Sequence, residues 1–242
     1  MTHLRIAGVD GCKGGWVIAA SNETLSQPVT LSFTRAVAGL LAGPDAPDVL
    51  AVDIPIGLTG SGDRAPDSQA RKLTPPGSVF QAAKRPILGH ARDHGLLKST
   101  PANRAALREW CRSNGHAMSG SHSYALYERT AELDALVRFQ SNCDIREVHP
   151  EVCFWALNGE KRLIASKKTA RGLQERRRLL NSAFTIEILD LQMPHSITAL
   201  DDVFDALAAL WTAARIARDE ARHIPEAPGR DLELNRDIAI WY

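Results

Sequence analysis

The sequence predicts an α/β protein, a mixed β-sheet with helices packed on it. Three short apolar runs typical of strands open the chain, at residues 4–9, 16–20 and 29–33. A fourth run, at 49–54, is apolar on both faces apart from one carboxylate, as expected of a central strand. Strand–helix units follow it, which indicates helices lying on the sheet.

The glycine-rich segment after the first run predicts a hairpin between the first two strands. Three glycines lie in it: Gly11, Gly14 and Gly15. Thr34 is predicted to cap a short helix that extends to Leu41. Pro55 and Gly57 are expected to end the central strand.

The middle of the chain is expected to be an insert in a single domain that spans residues 1–242. Residues 59–120 are rich in Gly, Pro, Ser and basic side chains, which indicates loops with one helix near 101–112. A second helix over 123–139 extends this insert to about 59–140. The remaining elements are predicted as a strand at 145–148, helices at 149–157, 173–180 and 198–218, and a closing edge strand at 237–242.

Composition excludes several classes of protein. The 242 residues include 29 Lys and Arg against 28 Asp and Glu, a formal net charge of +1. A protein that coats nucleic acid non-specifically would be far more basic, although a local basic patch stays compatible with this charge. No apolar run is long enough for a signal peptide or a membrane span, and the four cysteines form no CxxC pair. We therefore expect a cytoplasmic protein with no membrane partner.

Carboxylates occur at three places where the surrounding sequence is apolar. Asp10 ends the first strand, Asp53 lies in the central strand, and the last long helix carries Asp201, Asp202 and Asp205. Burying an unpaired carboxylate costs several kcal/mol, so such positions need a partner or a metal. Hard cations such as Mg²⁺ or Mn²⁺ prefer oxygen ligands, and a pair of them supports hydrolysis of phosphodiesters.

Some of these carboxylates also have structural interpretations. Asp10 fits a turn, and Asp201 follows Thr198 with the spacing of a capping box. Asp202 would complement the helix dipole. Asp205, deeper in the helix, and the central-strand carboxylate are harder to explain in structural terms, because their neighbours are apolar.

Six motifs, in order along the chain, resemble one family. They are GVDGCKGGW, AVDIPIGL, the R-x-x-D-x-x-x-R of Arg64, Asp67 and Arg71, SVF, EVHPEVCF and DDVFDALAAL. The set resembles the domain-of-unknown-function family 429, whose members are described as predicted nucleases of the ribonuclease H fold. The resemblance covers nearly the whole chain, with 92–142 its least distinctive part.

The resemblance implies a ribonuclease H-like, mixed five- or six-stranded sheet in which the strands of Asp10 and Asp53 are adjacent. In enzymes of that fold these two strands and the last helix carry metal ligands. Here that helix offers Asp202 and Asp205, spaced as in Holliday-junction resolvases. Glu151 is a further acidic candidate that a helix-dipole role explains equally well.

Two residues of the EVHPEV segment share a strand face, Glu147 and His149. The carboxylate is another acidic candidate, and the histidine is a candidate general base or phosphate contact, or a hydrogen-bonded structural residue. Phe80 and Trp155 are candidates to stack on bases, with core packing as the alternative.

Five basic residues are candidates for contacts to an anionic substrate: Lys13, Arg64, Arg71, Lys168 and Arg176. Each of them also has a structural interpretation. Lys13 fits a solvated turn, and the two arginines of the R-x-x-D-x-x-x-R motif fit an internal ion-pair ladder. Lys168 and Arg176, in the basic run 161–178, fit a solvated face.

The favoured hypothesis is a metal-dependent nuclease or phosphodiesterase. Asp10, Asp53 and either Asp202 or Asp205 would hold two Mg²⁺ or Mn²⁺ ions. The expected partner is a nucleic acid or nucleotide phosphodiester, and the C-terminal RDIAIWY offers an edge strand for a homodimer.

Two other classes stay open. One is a nucleotide phosphotransferase of the actin and sugar-kinase type, which opens with an Asp-x-Gly turn and usually has two such domains. Here Asp10 is followed directly by Gly11, and no second glycine-rich turn indicates a duplicated domain. A non-catalytic protein that kept the fold as a binding module is the third class. Metal binding would distinguish the hydrolase from this third class, and ATP binding would identify the phosphotransferase.

Overall fold

A five-stranded mixed sheet forms the centre of the molecule. The structure is a computed structural model, and it describes residues 3–139, 142–184 and 198–242. The strands of the sheet are β1 (Arg5–Cys12), β2 (Gly15–Asn22), β3 (Thr30–Thr34), β4 (Val49–Val52) and β5 (Asp144–Glu147). They lie in the order β3-β2-β1-β4-β5. β2 is antiparallel to β1 and β3, whereas β1, β4 and β5 are parallel. The predicted α/β class with a mixed sheet is confirmed.

Helices surround the sheet. They are α1 (Ala38–Leu41), α2 (Ala65–Leu73), α3 (Arg85–Asp93), α4 (Pro101–Ser113), α5 (Ser121–Ala125), α6 (Tyr127–Phe139), α7 (Pro150–Leu157), α8 (Ala170–Ala183) and α9 (Leu200–Ala217). A two-stranded ribbon of β6 (His223–Asp231) and β7 (Arg236–Trp241) follows them. Within the described ranges, no helix has the length and apolar character that crossing a membrane requires.

The two faces of the sheet are covered by different helices. Helices α7, α8 and α9 form one core with alternate strand residues, including Ile6, Val49 and Ala51. Helices α1 and α6 cover the other face, where Val9 and Leu50 are buried. Because side chains alternate along a strand, the even-numbered residues of β1 and the odd-numbered residues of β4 point towards α9.

A close approach between α9 and β1 depends on Gly8. A Cβ built on Gly8 would lie 2.6 Å from the carbonyl carbon of Ala209, and closer still to backbone atoms of Ala206 and Leu210. No larger residue fits there without moving the helix. The facing positions of α9 are small and fully buried, Ala206 and Ala213 among them. This contact sets the helix directly over the strand that carries Asp10.

The insert contains more helix than the composition indicates. Instead of loops with one helix, residues 59–120 contain α2, α3 and α4, each with a proline in its first turn. Proline is favoured there because its missing N–H has no partner in the helix, so these prolines mark helix starts. The helix predicted over 123–139 is two helices, α5 and α6, separated at Leu126.

Two further predictions were wrong in detail. Thr34 does not cap α1, because it is still paired with Trp16 in the sheet, and the N-cap is Val37. The predicted closing strand exists as β7, but it pairs with β6, and within the described residues its backbone pairing to the central sheet is limited to an isolated bridge from Trp241 to Val148. The sequence of β6 contains two prolines, which are rare inside strands, and for that reason it was not predicted.

Candidate functional site

A cleft of about 690 Å³ lies where β1 and β4 end. Asp10, Asp53 and Asp205 line it together, and they come from the two strands and the helix that the sequence indicated. Asp10 and Asp205 are buried, at 7% and 1% exposure, and Asp53 is partly exposed. Asp202 and Lys167 lie in the same lining.

The fold explains why these three carboxylates share one cleft. Asp10 is on the face of β1 that points towards α9. Asp53 directly follows β4, and its N–H donates to the Val9 carbonyl oxygen at 3.0 Å, which extends the parallel pairing by one residue. Asp205 lies on the part of α9 that the close approach at Gly8 brings over the sheet.

Burial and neighbouring charges raise the pKa of these carboxylates. Burial raises the pKa of Asp10 well above its usual range, and the negative charges of Asp205 and Asp53 raise it further. Burial likewise raises the pKa of Asp205 to about 6, although the ammonium of Lys167 opposes this shift. The pKa of Asp53 is raised by burial and lowered in part by the charges of His149 and Lys167. A positive charge in this cleft would therefore be strongly stabilised.

Lys167 provides such a charge. It belongs to the segment between α7 and α8, and its Nζ donates to Asp205 Oδ2 in an ion pair. The neighbouring Lys168 bonds to Asp201 Oδ2 at 2.5 Å and is largely exposed. In the sequence Lys167 is only one member of the basic run 161–178, because no periodic pattern shows that this segment folds back over the acidic residues.

At the start of α9, the two acidic residues have exchanged roles relative to the prediction. The capping-box assignment of Asp201 was wrong, because the N-cap is Ala199 and its N–H donates to Asp202 Oδ2 at 3.2 Å. One carboxylate oxygen of Asp202 therefore accepts a hydrogen bond at the start of the helix, and the side chain also lines the cleft. Burial raises the pKa of Asp202.

The carboxylates suit a hard cation chemically, but they do not yet form a coordination shell. Among the described residues, no group of three or more His, Cys, Asp or Glu side chains is arranged to hold a metal ion as it stands. Asp205 Oδ1 is nevertheless buried without a hydrogen-bond partner in the described part of the chain. Such an oxygen is costly unless a cation or donor reaches it, and carboxylate oxygens are the ligands that Mg²⁺ and Mn²⁺ prefer.

The two glutamates predicted as further acidic candidates are neutralised by buried arginines. Arg176 Nη2 lies 2.7 Å from both carboxylate oxygens of Glu151. Arg64 binds Glu147, and it also binds Asp67 at 2.9 Å. Both arginines are at most 2% exposed and are absent from the described lining of the cleft, whereas their partners Asp67, Glu147 and Glu151 line it. For Arg64 this is the internal pairing given as its alternative, whereas Arg176 occupies neither a solvated face nor the cleft.

The other candidates from the sequence have different surroundings. His149 lines the cleft, with Nε2 3.3 Å from the Ser78 carbonyl oxygen and Nδ1 buried without a partner among the described residues. Lys13 is exposed in the β1–β2 turn. Arg71 is exposed on α2, where its Nε donates to the Val79 carbonyl oxygen at 3.4 Å.

Sequence reasoning missed Arg129 and His122 in the cleft and named Phe80 as a candidate to stack on bases. Arg129 donates to the carbonyl oxygens of Cys12 and Gly15, which fixes it against the glycine-rich turn. Phe80, for which core packing was the alternative, is 44% exposed and stacks on His122. No local pattern identifies Arg129 or His122, because each reaches the cleft through the packing of the insert. Trp155, in contrast, is partly buried and packs against a core cluster.

Comparison with known proteins gives one finding. The model of a family described as "Protein of unknown function (DUF429)" matches residues 8–230, a range that includes Asp10, Asp53 and Asp205. No curated protein matches the chain, and neither does any solved structure. Because the match covers most of the sequence and agrees with the family that the six motifs resemble, the chain belongs to the DUF429 family.

Proposed function

We propose that this protein is a metal-dependent phosphodiester hydrolase, a nuclease or phosphodiesterase, with a ribonuclease H-like fold. The parallel pairing of β1 with β4 and the packing of α9 on both strands support that fold assignment. The observation that carries the proposal is the presence of three acidic side chains from these elements, Asp10, Asp53 and Asp205, in one cleft.

The proposed cofactor is Mg²⁺ or Mn²⁺, held by Asp10, Asp53 and Asp205 with Asp202 beside them. The raised pKa values of Asp10 and Asp205 and the unpaired Asp205 Oδ1 support this assignment. A divalent cation would offset the repulsion between the carboxylates and would give the unpaired oxygen a partner. An ion of this kind polarises a phosphoryl oxygen and lowers the pKa of water.

The side chains around the acidic group have separate roles in this proposal. Lys167 pairs with Asp205 and would be free to contact a substrate phosphate once that carboxylate has another partner. His149 Nε2 faces a carbonyl oxygen, so in the neutral ring Nε2 carries the hydrogen and donates. Its unpaired Nδ1 is then the proton acceptor, which makes His149 the candidate base of the cleft.

A non-catalytic binding protein is the second candidate. The observation that favours it is the Lys167–Asp205 ion pair, which already satisfies one carboxylate oxygen without any metal. Under this alternative the lysine would be a permanent structural partner, and neither metal binding nor hydrolysis would occur.

Hydrolysis of bis(p-nitrophenyl) phosphate in Mn²⁺ tests the proposal with a generic phosphodiester. We expect Asp10→Asn to lower the rate by roughly two orders of magnitude or more, because a metal ligand supports several kcal/mol of transition-state stabilisation. Asp93→Asn is the matched control, since Asp93 is an exposed carboxylate outside the described lining of the cleft. Equal rates for wild type and Asp10→Asn would contradict the site, and an inactive wild type would favour the non-catalytic candidate.

A further inference from the structure

One part of the cleft carries an aromatic pair that the core does not bury. The Phe80 and His122 rings stack with centroids 4.9 Å apart and planes 6° from parallel. Phe80 is 44% exposed, and a third side chain of the same cleft, Ile164, is 88% exposed. Scattered apolar side chains on a surface need no explanation. A group of them in one cleft beside buried carboxylates indicates a surface that a ligand covers.

The backbone that presents Phe80 is fixed on both sides. Before it, Ser78 Oγ donates to the Pro75 carbonyl oxygen at 2.7 Å. After it, the Ala82 N–H donates to Asp67 Oδ2 at 3.0 Å. Asp67 is itself held by the buried Arg64. The ring is therefore presented in a preorganised position, which lowers the entropy lost when a ligand stacks on it.

We propose that the Phe80–His122 pair is a stacking platform for a nucleobase, and that the substrate is single-stranded nucleic acid. This inference rests on the proposed function, because the acidic residues of the same cleft would take the phosphodiester next to the stacked base. Every base presents a π-face to an aromatic ring, whereas bases in a duplex are already stacked on one another.

The size and charge of the molecule agree with this substrate. A cleft of about 690 Å³ has the volume of a small-ligand site, enough for one or two nucleotides. The formal net charge of +1 leaves no excess of cations for a long duplex footprint, so affinity has to come from contacts to bases as well as phosphates. The aromatic pair is the feature of the cleft that can supply such a contact.

Fluorescence anisotropy with two labelled probes tests the platform. The first is a short single-stranded oligothymidylate, and the second is an abasic deoxyribose-phosphate oligomer of equal length and charge. We expect the wild type to bind the first probe roughly 5- to 150-fold more tightly, the range for one stacked base. Phe80→Ala should lose this preference and keep its affinity for the abasic probe, whereas Phe80→Tyr should retain the preference. Phe139→Ala is the matched control, because Phe139 is 82% exposed and lies outside the described lining of the cleft.

The outcomes separate this inference from the proposed function. Equal affinity of the wild type for both probes, no binding of either probe, or a preference that survives Phe80→Ala would overturn the platform. If the base preference depends on Phe80 but calorimetry detects no Mn²⁺ binding, the platform stands and the hydrolase proposal fails. If Mn²⁺ binds at the carboxylates and no base preference exists, the hydrolase proposal stands and the platform fails.

Discussion

Asp10, Asp53 and Asp205 are unfavourable neighbours. Burial raises the pKa values of all three, repulsion within the group adds to the shifts of Asp10 and Asp205, and Lys167 only partly offsets this effect. Functional sites often retain such unfavourable arrangements, because a ligand later uses the charges that destabilise the free protein. These residues were predictable from the sequence, since carboxylates among apolar neighbours need an explanation. Lys167 was not, because it is distant along the chain from all three.

The pH dependence of stability follows from these shifts. The pKa of Asp205 rises from 3.8 in the unfolded chain to about 6 in the folded protein. A carboxyl group whose pKa is raised on folding contributes its full stabilisation at pH values below its pKa in the unfolded chain. This contribution is lost as the pH rises through its pKa in the folded protein. Asp10 shifts in the same direction.

We therefore expect Asp10→Asn to unfold at a higher temperature than wild type in EDTA at neutral pH, because the variant carries no charge at this position. The difference should shrink as the pH falls towards 4, where the wild-type carboxyls are protonated. Thermal unfolding across this pH range measures it. A variant less stable than wild type at neutral pH would show that the Asp10 charge is not unfavourable in the fold.

Lys167 is expected to compete with a divalent cation for Asp205. Lys167→Met removes the ammonium while keeping much of the side-chain length, so we expect Mn²⁺ to bind about tenfold more tightly or better, a gain of roughly 1.4 kcal/mol. Lys168→Met is the matched control, because Lys168 pairs with Asp201 instead. Calorimetric titration of both variants checks this. Weaker binding by Lys167→Met would indicate that the lysine supports the metal site.

At the scale of elements, the contact between α9 and β1 decides whether the site forms. Gly8 admits the helix backbone to the strand, and the alanines of α9 leave room for this approach. The apolar neighbours of Asp205 in the sequence indicate a buried helix, but not which strand the helix contacts. That partner depends on the sheet order, which periodicity alone does not determine.

Gly8→Ala is expected to destabilise the protein by roughly 1–3 kcal/mol or more, because its Cβ meets helix backbone instead of a flexible side chain. Gly89→Ala is the matched control. Gly89 lies inside α3, where a Cβ meets nothing within 4 Å, so this change should stabilise the protein by roughly 0.5–1 kcal/mol. Denaturant unfolding measures both variants. A neutral Gly8→Ala would mean that α9 shifts away from β1 at little cost.

Across the whole molecule, the part that the sequence predicted well is the part with simple periodicity. Strands β1, β2 and β4 and helix α9 have clear apolar patterns, and they carry Asp10, Asp53 and Asp205. The insert and the β6–β7 ribbon were predicted poorly, because their prolines begin helices or lie in a strand. The aromatic pair and Arg129 come from the insert, so the wall of the cleft was less predictable than its acidic residues.

The central claim is that elements far apart in the chain bring Asp10, Asp53 and Asp205 together to bind a divalent cation. Calorimetric titration of Mn²⁺ into wild type, Asp10→Asn, Asp53→Asn and the control Asp93→Asn tests this most directly, with and without a nucleotide present. We predict binding by wild type and by the control, and its loss in the Asp10 and Asp53 variants. A wild type that binds no Mn²⁺ under either condition, or Asp10 and Asp53 variants that bind it as tightly as wild type does, would contradict the claim.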